Sequence, residues 1–171
     1  MTDGLNKMNI TKSLLLITLA FILSILDTSF FSFIPILGTT IISSYAAIIN
    51  FSIAEKINDF LIFTIAVIFF FSAFSSLPVW LIVMVFLIFP SIMFYVKKTY
   101  FPEPSVISSF AFFVSGTLLF ALTSLIYTNG WNREGTIASL YFIAINSAFG
   151  VLIYYLLRNI KRKITRKEIK F

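Results

Sequence analysis

The chain has 171 residues, 59% of them hydrophobic and only 12% charged, with a mean hydropathy of +0.99 and a formal net charge of +6. A soluble domain is roughly half apolar and about a quarter charged, so this composition belongs to a single membrane domain. The absence of Cys and His excludes disulfides, thiolate metal sites, haem attachment, histidine proton relays and Cys- or His-based nucleophilic pairs.

A helix needs roughly 20 residues to cross about 30 Å of hydrocarbon, and apolar runs bounded by charge, Pro or Gly predict six such spans. Residues 1–13 form a short cytoplasmic segment carrying Lys7 and Lys12. The first span runs from Leu14 to about Ile34, ahead of Pro35, and no small-residue cleavage site marks it as a removable signal. The second covers Ile36 to Ile53, closed by Glu55 and Lys56. The third runs from about Phe60 to Leu77, and the turn at Ser75-Ser76-Leu77-Pro78 leads into the fourth, Val79 to Val96, closed by Lys97 and Lys98. Pro90 inside the fourth span removes a backbone donor and predicts a kink. The fifth, Ser105 to Tyr127, follows Phe101-Pro102-Glu103-Pro104, and the sixth covers about Thr136 to Leu157. None of these runs alternates apolar with polar residues as a barrel strand would. The expected fold is therefore all-α: a polytopic bundle of six transmembrane helices over residues 14–157, followed by a basic cytoplasmic tail, 158–171.

Six spans place every Lys and Arg except Arg133 on one side, which the positive-inside rule makes cytoplasmic, together with both termini. Trp80, Tyr127 and Trp131 then mark the outer interface, and Tyr95, Tyr100, Tyr154 and Tyr155 the inner one. The outer connections are short, the longest being Thr128 to Gly135, so little projects beyond the membrane.

Asp27 is the one ionisable side chain inside a predicted span, about 20 Å along the first helix. Burying a charge in lipid is costly, so such a residue is a candidate for contact with a ligand or partner. Alternatively, Asp27-Thr28-Ser29 supplies good cap or turn material at a helix end. With Phe30, Phe31, Trp80 and Trp131 it forms the expected partner-binding rim at the outer mouth. Asn50, Ser72, Ser115, Asn146 and Gly150 belong to small-or-polar positions of the kind that let transmembrane helices approach closely. Arg158, Lys161, Arg162, Lys163, Arg166 and Lys167 form a basic stretch suited to anionic lipid. No aromatic platform interleaves these charges as nucleic-acid binding would require. Intramembrane proteolysis needs paired carboxylates or a histidine, phosphotransfer needs several Asp residues on facing helices, and no phosphate-binding glycine loop occurs. A non-enzymatic subunit without a cofactor is expected.

The first span ending in Leu26-Asp27-Thr28-Ser29-Phe30-Phe31 with a Pro soon after resembles the bacterial rod shape-determining family MreD. So do the passage Phe74-Ser75-Ser76-Leu77-Pro78-Val79-Trp80 and the Lys97-Lys98-Thr99-Tyr100-Phe101 exit before the fifth span. The similarity extends over roughly residues 12–160 and is divergent: no Asp stands near Ser72 or Ala73, and Trp80 replaces a common Gly. The resemblance implies a non-catalytic scaffold of the cell-wall elongation machinery in the bacterial cytoplasmic membrane. Its implied partners are an MreC-like coiled-coil protein and a RodA-type glycosyltransferase with its penicillin-binding protein. The competing reading is the substrate-binding subunit of an energy-coupling-factor transporter, with Asp27, Asn129, Asn132, Arg133 and Glu134 as possible ligand contacts. The Ala-x-x-x-Ala docking face of such subunits is missing, since Ala20 is the only Ala between Leu14 and Ile34.

Overall fold

The computed structural model describes residues 10–33, 39–54, 57–100 and 106–168. They form six helical rods, and no β-strand occurs among the described residues. Helix α1 comprises Ile10–Ile25, a wide π-turn at Leu26–Phe30 and a last turn, Phe31–Phe33. Helix α2 is Ser43–Ala54 and α3 is Ile57–Phe74. Helix α4 joins Val79–Val83, a second π-turn at Met84–Ile88, and Phe89–Tyr100. Helices α5 and α6 are Val106–Thr128 and Arg133–Glu168. Five rods are long and apolar enough to cross a membrane, which makes this a multi-pass membrane protein.

The exception is α2, and here the expected second span is corrected. Its 12 residues rise only about 18 Å, short of the hydrocarbon thickness. The chain still returns along it from the Asp27 end, where Ser43 meets Asp27, to the Lys12 end, where Asp59 meets Lys12. The helix begins at Ser43 rather than at Ile36, and residues 39–42 approach it as non-helical chain. Despite its length α2 is the hub, packed against α1, α3, α4, α5 and α6. Tyr45, Ile48, Ile49 and Ile53 are wholly enclosed. The longer helices form a sleeve around it, with apolar side chains such as Leu15, Ile65, Ile92, Leu118 and Leu140 turned outward.

Phenylalanine supplies much of the packing. The Phe86 ring meets Phe71 edge-on at 5.0 Å, Tyr45 at 5.4 Å and Phe120 at 6.2 Å, joining α4 to α3, α2 and α5. Between membrane helices there is little hydrophobic drive, so close van der Waals fit carries the association. Two glycines show how tight it is. A Cβ on Gly116 would stand 2.7 Å from Ile49 Cδ1, and one on Gly150 would overlap the Phe113 ring.

The predicted irregularity at Pro90 takes the form of the π-turn Met84–Ile88 immediately before it. A helical proline clashes with the carbonyl four residues back, here that of Phe86, and a widened turn relieves the clash. The last helix continues past Leu157 without a break to Glu168, so the basic stretch extends the sixth helix. The side chains of Lys161, Arg162, Lys163, Arg166 and Lys167 lie outside the described residues, whereas Arg158 is half-buried.

Candidate functional site

Asp27 sits in the π-turn of α1 and is only 7% exposed. Its carboxylate is covered by α2. The Ser43 backbone N–H donates to Oδ1 at 2.7 Å and the Ser43 hydroxyl to the same oxygen at 2.6 Å. The Ser44 N–H donates to Oδ2 at 2.8 Å, and the Ser44 hydroxyl donates to Oδ2 as well. The first amides of a helix lack intrahelical partners and carry the positive end of its dipole, so a carboxylate is the natural acceptor there. Asp27 is indeed capping material, but it caps a different helix from its own. Its own helix runs on through Phe33.

Asn146, on α6, acts on the same segment from the opposite side. Its Oδ1 accepts from the Ile42 N–H at 2.8 Å, while Nδ2 donates to the Thr40 carbonyl and to the Phe142 carbonyl, both at 3.0 Å. Residues 40–44 are thus held by α1 and α6 together. Non-helical backbone at membrane depth is tolerated only where protein or a cavity satisfies its polar groups. Asp27 and Asn146 perform that task.

Beside this strap lies a cavity of about 420 Å³. Thr28 and Ser32 of α1, Thr39 and Thr40 of the strap, Ser75 and Ser76 of the α3–α4 turn, Ser124 of α5 and Ser139 of α6 all line it. Phe71, Phe74, Phe120 and Phe142 supply aromatic walls, the last two stacked with centroids 5.1 Å apart. Among the described residues, Asp27 is the only charged one that lines it.

The remaining expected site residues divide cleanly. Phe30, Trp80 and Trp131 are 55%, 58% and 60% exposed at the Asp27 end, Phe31 is half-buried against Phe30, and Trp80 meets Tyr127 edge-on at 6.4 Å. Asp27 itself is turned inward, so it does not share their exposed rim. Among the packing positions, Asn50 and Asn146 are buried and Gly150 lies against Phe113. Asn50 Nδ2 donates to the Ala46 carbonyl at 2.9 Å. Ser72 and Ser115 instead donate to carbonyls of their own helices, Phe69 and Ala111, and Ser115 is exposed. The close approach on α5 falls one residue later, at Gly116, whose carbonyl accepts from the Tyr45 hydroxyl at 2.9 Å. A hydroxyl pair, Thr117 with Ser147 at 2.8 Å, joins α5 to α6.

The α5–α6 connection is explained by caps. Asn129 adopts φ 52°, the Gly130 N–H donates to the Leu125 carbonyl, and the Asn129 N–H to that of Ile126, which is the Schellman ending of a helix. Asn132 Oδ1 then accepts from the Gly135 N–H at 2.7 Å and caps α6. Asn129, Asn132, Arg133 and Glu134 do not line the cavity.

Two features escaped the sequence reading. Lys12 donates to Asp59 Oδ2, pairing α1 with the start of α3 at the far end of the bundle. The serine pair Ser43-Ser44 is the docking point for Asp27. A signal existed for the second: Gly38-Thr39-Thr40 and Ser43-Ser44 interrupt the apolar run assigned to one span. Compared with family models, with curated proteins and with solved structures, the chain matches none.

Proposed function

We propose that the chain is a non-catalytic scaffold subunit of the bacterial cell-wall elongation machinery, seated in the cytoplasmic membrane with both termini in the cytoplasm. The observation that supports this reading is how two polar side chains at the Asp27 end are occupied. Asp27 and Asn146 are engaged with the chain's own backbone, while Phe30, Trp80 and Trp131 stand exposed at the same end. A protein built this way works through its surface. Large exposed aromatics are the side chains that anchor partner proteins. The sidedness rests on the positive-inside rule, since all the basic residues but Arg133 fall in the segments that the sequence assigns to one side. The helical basic extension of α6 lies against anionic lipid, each charge contributing about 1 kcal/mol near the surface.

The test is a mild-detergent pull-down of the tagged full chain from its native membrane, read by mass spectrometry. A coiled-coil protein of the MreC type together with a RodA-type polymerase is the expected catch. Their recovery falls about tenfold or more on Trp131→Ala or Trp80→Ala if these are anchors. An ATPase pair with a transmembrane coupling subunit in their place would overturn the scaffold reading and make the chain a transporter's binding subunit.

A further inference from the structure

We propose that the cavity at the Asp27 end is a binding site for a small uncharged molecule built on a planar heteroaromatic ring with hydrogen-bonding groups around it. The inference goes beyond the scaffold reading and does not depend on which complex the chain serves.

Size is the first argument. A cleft of about 420 Å³ falls within the range of small-molecule sites. It also reaches the surface, because exposed Ser32 and Ser76 are among its lining residues.

The lining is the second argument. On α5 the Ser115 and Thr117 hydroxyls donate to carbonyls of their own helix, and Thr117 also pairs with Ser147 across to α6, whereas Ser24 Oγ and Thr64 Oγ1 are buried away from the cavity without a partner among the described residues. At the cavity, hydroxyls from four separate segments converge: Thr39 and Thr40, Ser75 and Ser76, Ser124, and Ser139. Among the described residues no hydrogen bond joins these hydroxyls to one another across the space. They face open space rather than sealed packing, since none is a buried group left without a partner, and Ser75 Oγ also accepts from the Leu77 N–H at 3.1 Å. Each hydroxyl both donates and accepts, which suits a ligand edge carrying mixed hydrogen-bonding groups.

Charge and shape fix the class. Among the described residues no Lys or Arg lines the cavity, so an anion would meet no counter-charge from them. The only carboxylate, Asp27, already accepts four hydrogen bonds from Ser43 and Ser44, so a cation would have to displace α2 from it. The ligand is therefore neutral. The Phe120–Phe142 stack on one wall and Phe71 and Phe74 from α3 favour a planar ring, because aromatic pairs gain from offset stacking or edge contact.

The test uses the purified full chain in detergent and follows thermal unfolding with four probes. Adenosine and uridine are neutral and ring-bearing, adenosine monophosphate adds charge, and myo-inositol has hydroxyls without a ring. The expected result is a rise in Tm of about 5 °C with at least one nucleoside at roughly 100-fold above its Kd. Adenosine monophosphate and myo-inositol produce at most a small fraction of that rise. Ser76→Trp, on the exposed turn, and Ser139→Phe, on α6, fill the cavity from different sides. Each unfolds cooperatively and loses the shift, and either one alone reads the site if the other fails to fold. The proposal is overturned if neither nucleoside shifts Tm, if adenosine monophosphate matches adenosine, or if a folded filled variant keeps the full shift. The pull-down above can fail while this experiment succeeds, and the reverse.

Discussion

The two ends of the bundle are closed by different physics. At the Asp27 end the chain leaves regular helix, and directional hydrogen bonds between residues as distant as Ile42 and Asn146 hold it in place. At the Lys12 end the described residues keep regular helix and need no such strap: Phe51 stacks on Phe63 at 4.5 Å and Phe60 on Phe94 at 5.8 Å, beside the Lys12–Asp59 ion pair. Directional bonds place a segment with high specificity, yet removing one partner leaves a buried donor or acceptor unsatisfied. Dispersion contacts are small individually and degrade gradually. The polar end is therefore fragile to single substitutions and the aromatic end tolerant of them. Trp80 and Trp131 both lie at the polar end, so their fluorescence reports its unfolding.

The largest effect is expected from Asp27→Ala. Four donors on Ser43 and Ser44 lose their acceptor at once, and a loss of about 3 kcal/mol or more follows from the cost of unsatisfied buried groups. Asp27→Asn falls between, because its amide oxygen still accepts at one serine while its NH₂ faces the N–H of the other. Thermal unfolding followed by tryptophan fluorescence checks both. Equal stability for all three proteins would mean that the strap is held by something other than Asp27. Next comes Asn146→Leu, which keeps the volume and removes the partners of Ile42 N–H and the Thr40 carbonyl; about 2 kcal/mol is expected. A double variant with Asp27→Ala tests whether the two act as one device. Since both hold residues 40–44, their effects should fall short of additivity.

Helical character, the five long rods and the membrane setting were legible in the sequence because they depend on composition and run length alone. What was not legible depends on pairing across the fold. The apolar run from Ile36 to Ile53 reads as one span, yet residues 39–42 within it form a strap, because Asp27 and Asn146 offer the backbone there better partners than helix would. Nothing local to Asp27 shows that its oxygens face Ser43 and Ser44 rather than a turn of their own. Asn146 was recognisable as a packing residue, but its partners being backbone rather than another side chain was not. Gly116 and Ser115 illustrate the same limit: a small-residue pattern marks a close approach to within one residue, and the neighbouring helix decides which of them it meets.

One turn beyond Asn146 on α6, where packing is by dispersion alone, a smaller effect is expected. Gly150→Ala places a Cβ into the Phe113 ring, and overpacking costs about 1–3 kcal/mol. Alanine's better helix propensity returns up to about 1 kcal/mol, so a net loss of about 1 kcal/mol is expected from the Tm.

The smallest effect belongs to the ion pair. Lys12 is 54% exposed beside the buried Asp59 carboxylate, and pairs open to solvent are typically worth about 0.2–1 kcal/mol. Lys12→Met should therefore cost less than about 1 kcal/mol and retain most of the packing of α1 on α3, where Phe21 still meets Phe70 at 5.1 Å. The wild-type contribution should also fade as salt is raised, since screening acts on exposed pairs first. A Lys12→Met loss rivalling that of Asp27→Ala would break the comparison. It would mean that the burial of Asp59, 7% exposed like Asp27, outweighs the exposure of Lys12, and that both ends of the bundle depend on a buried carboxylate.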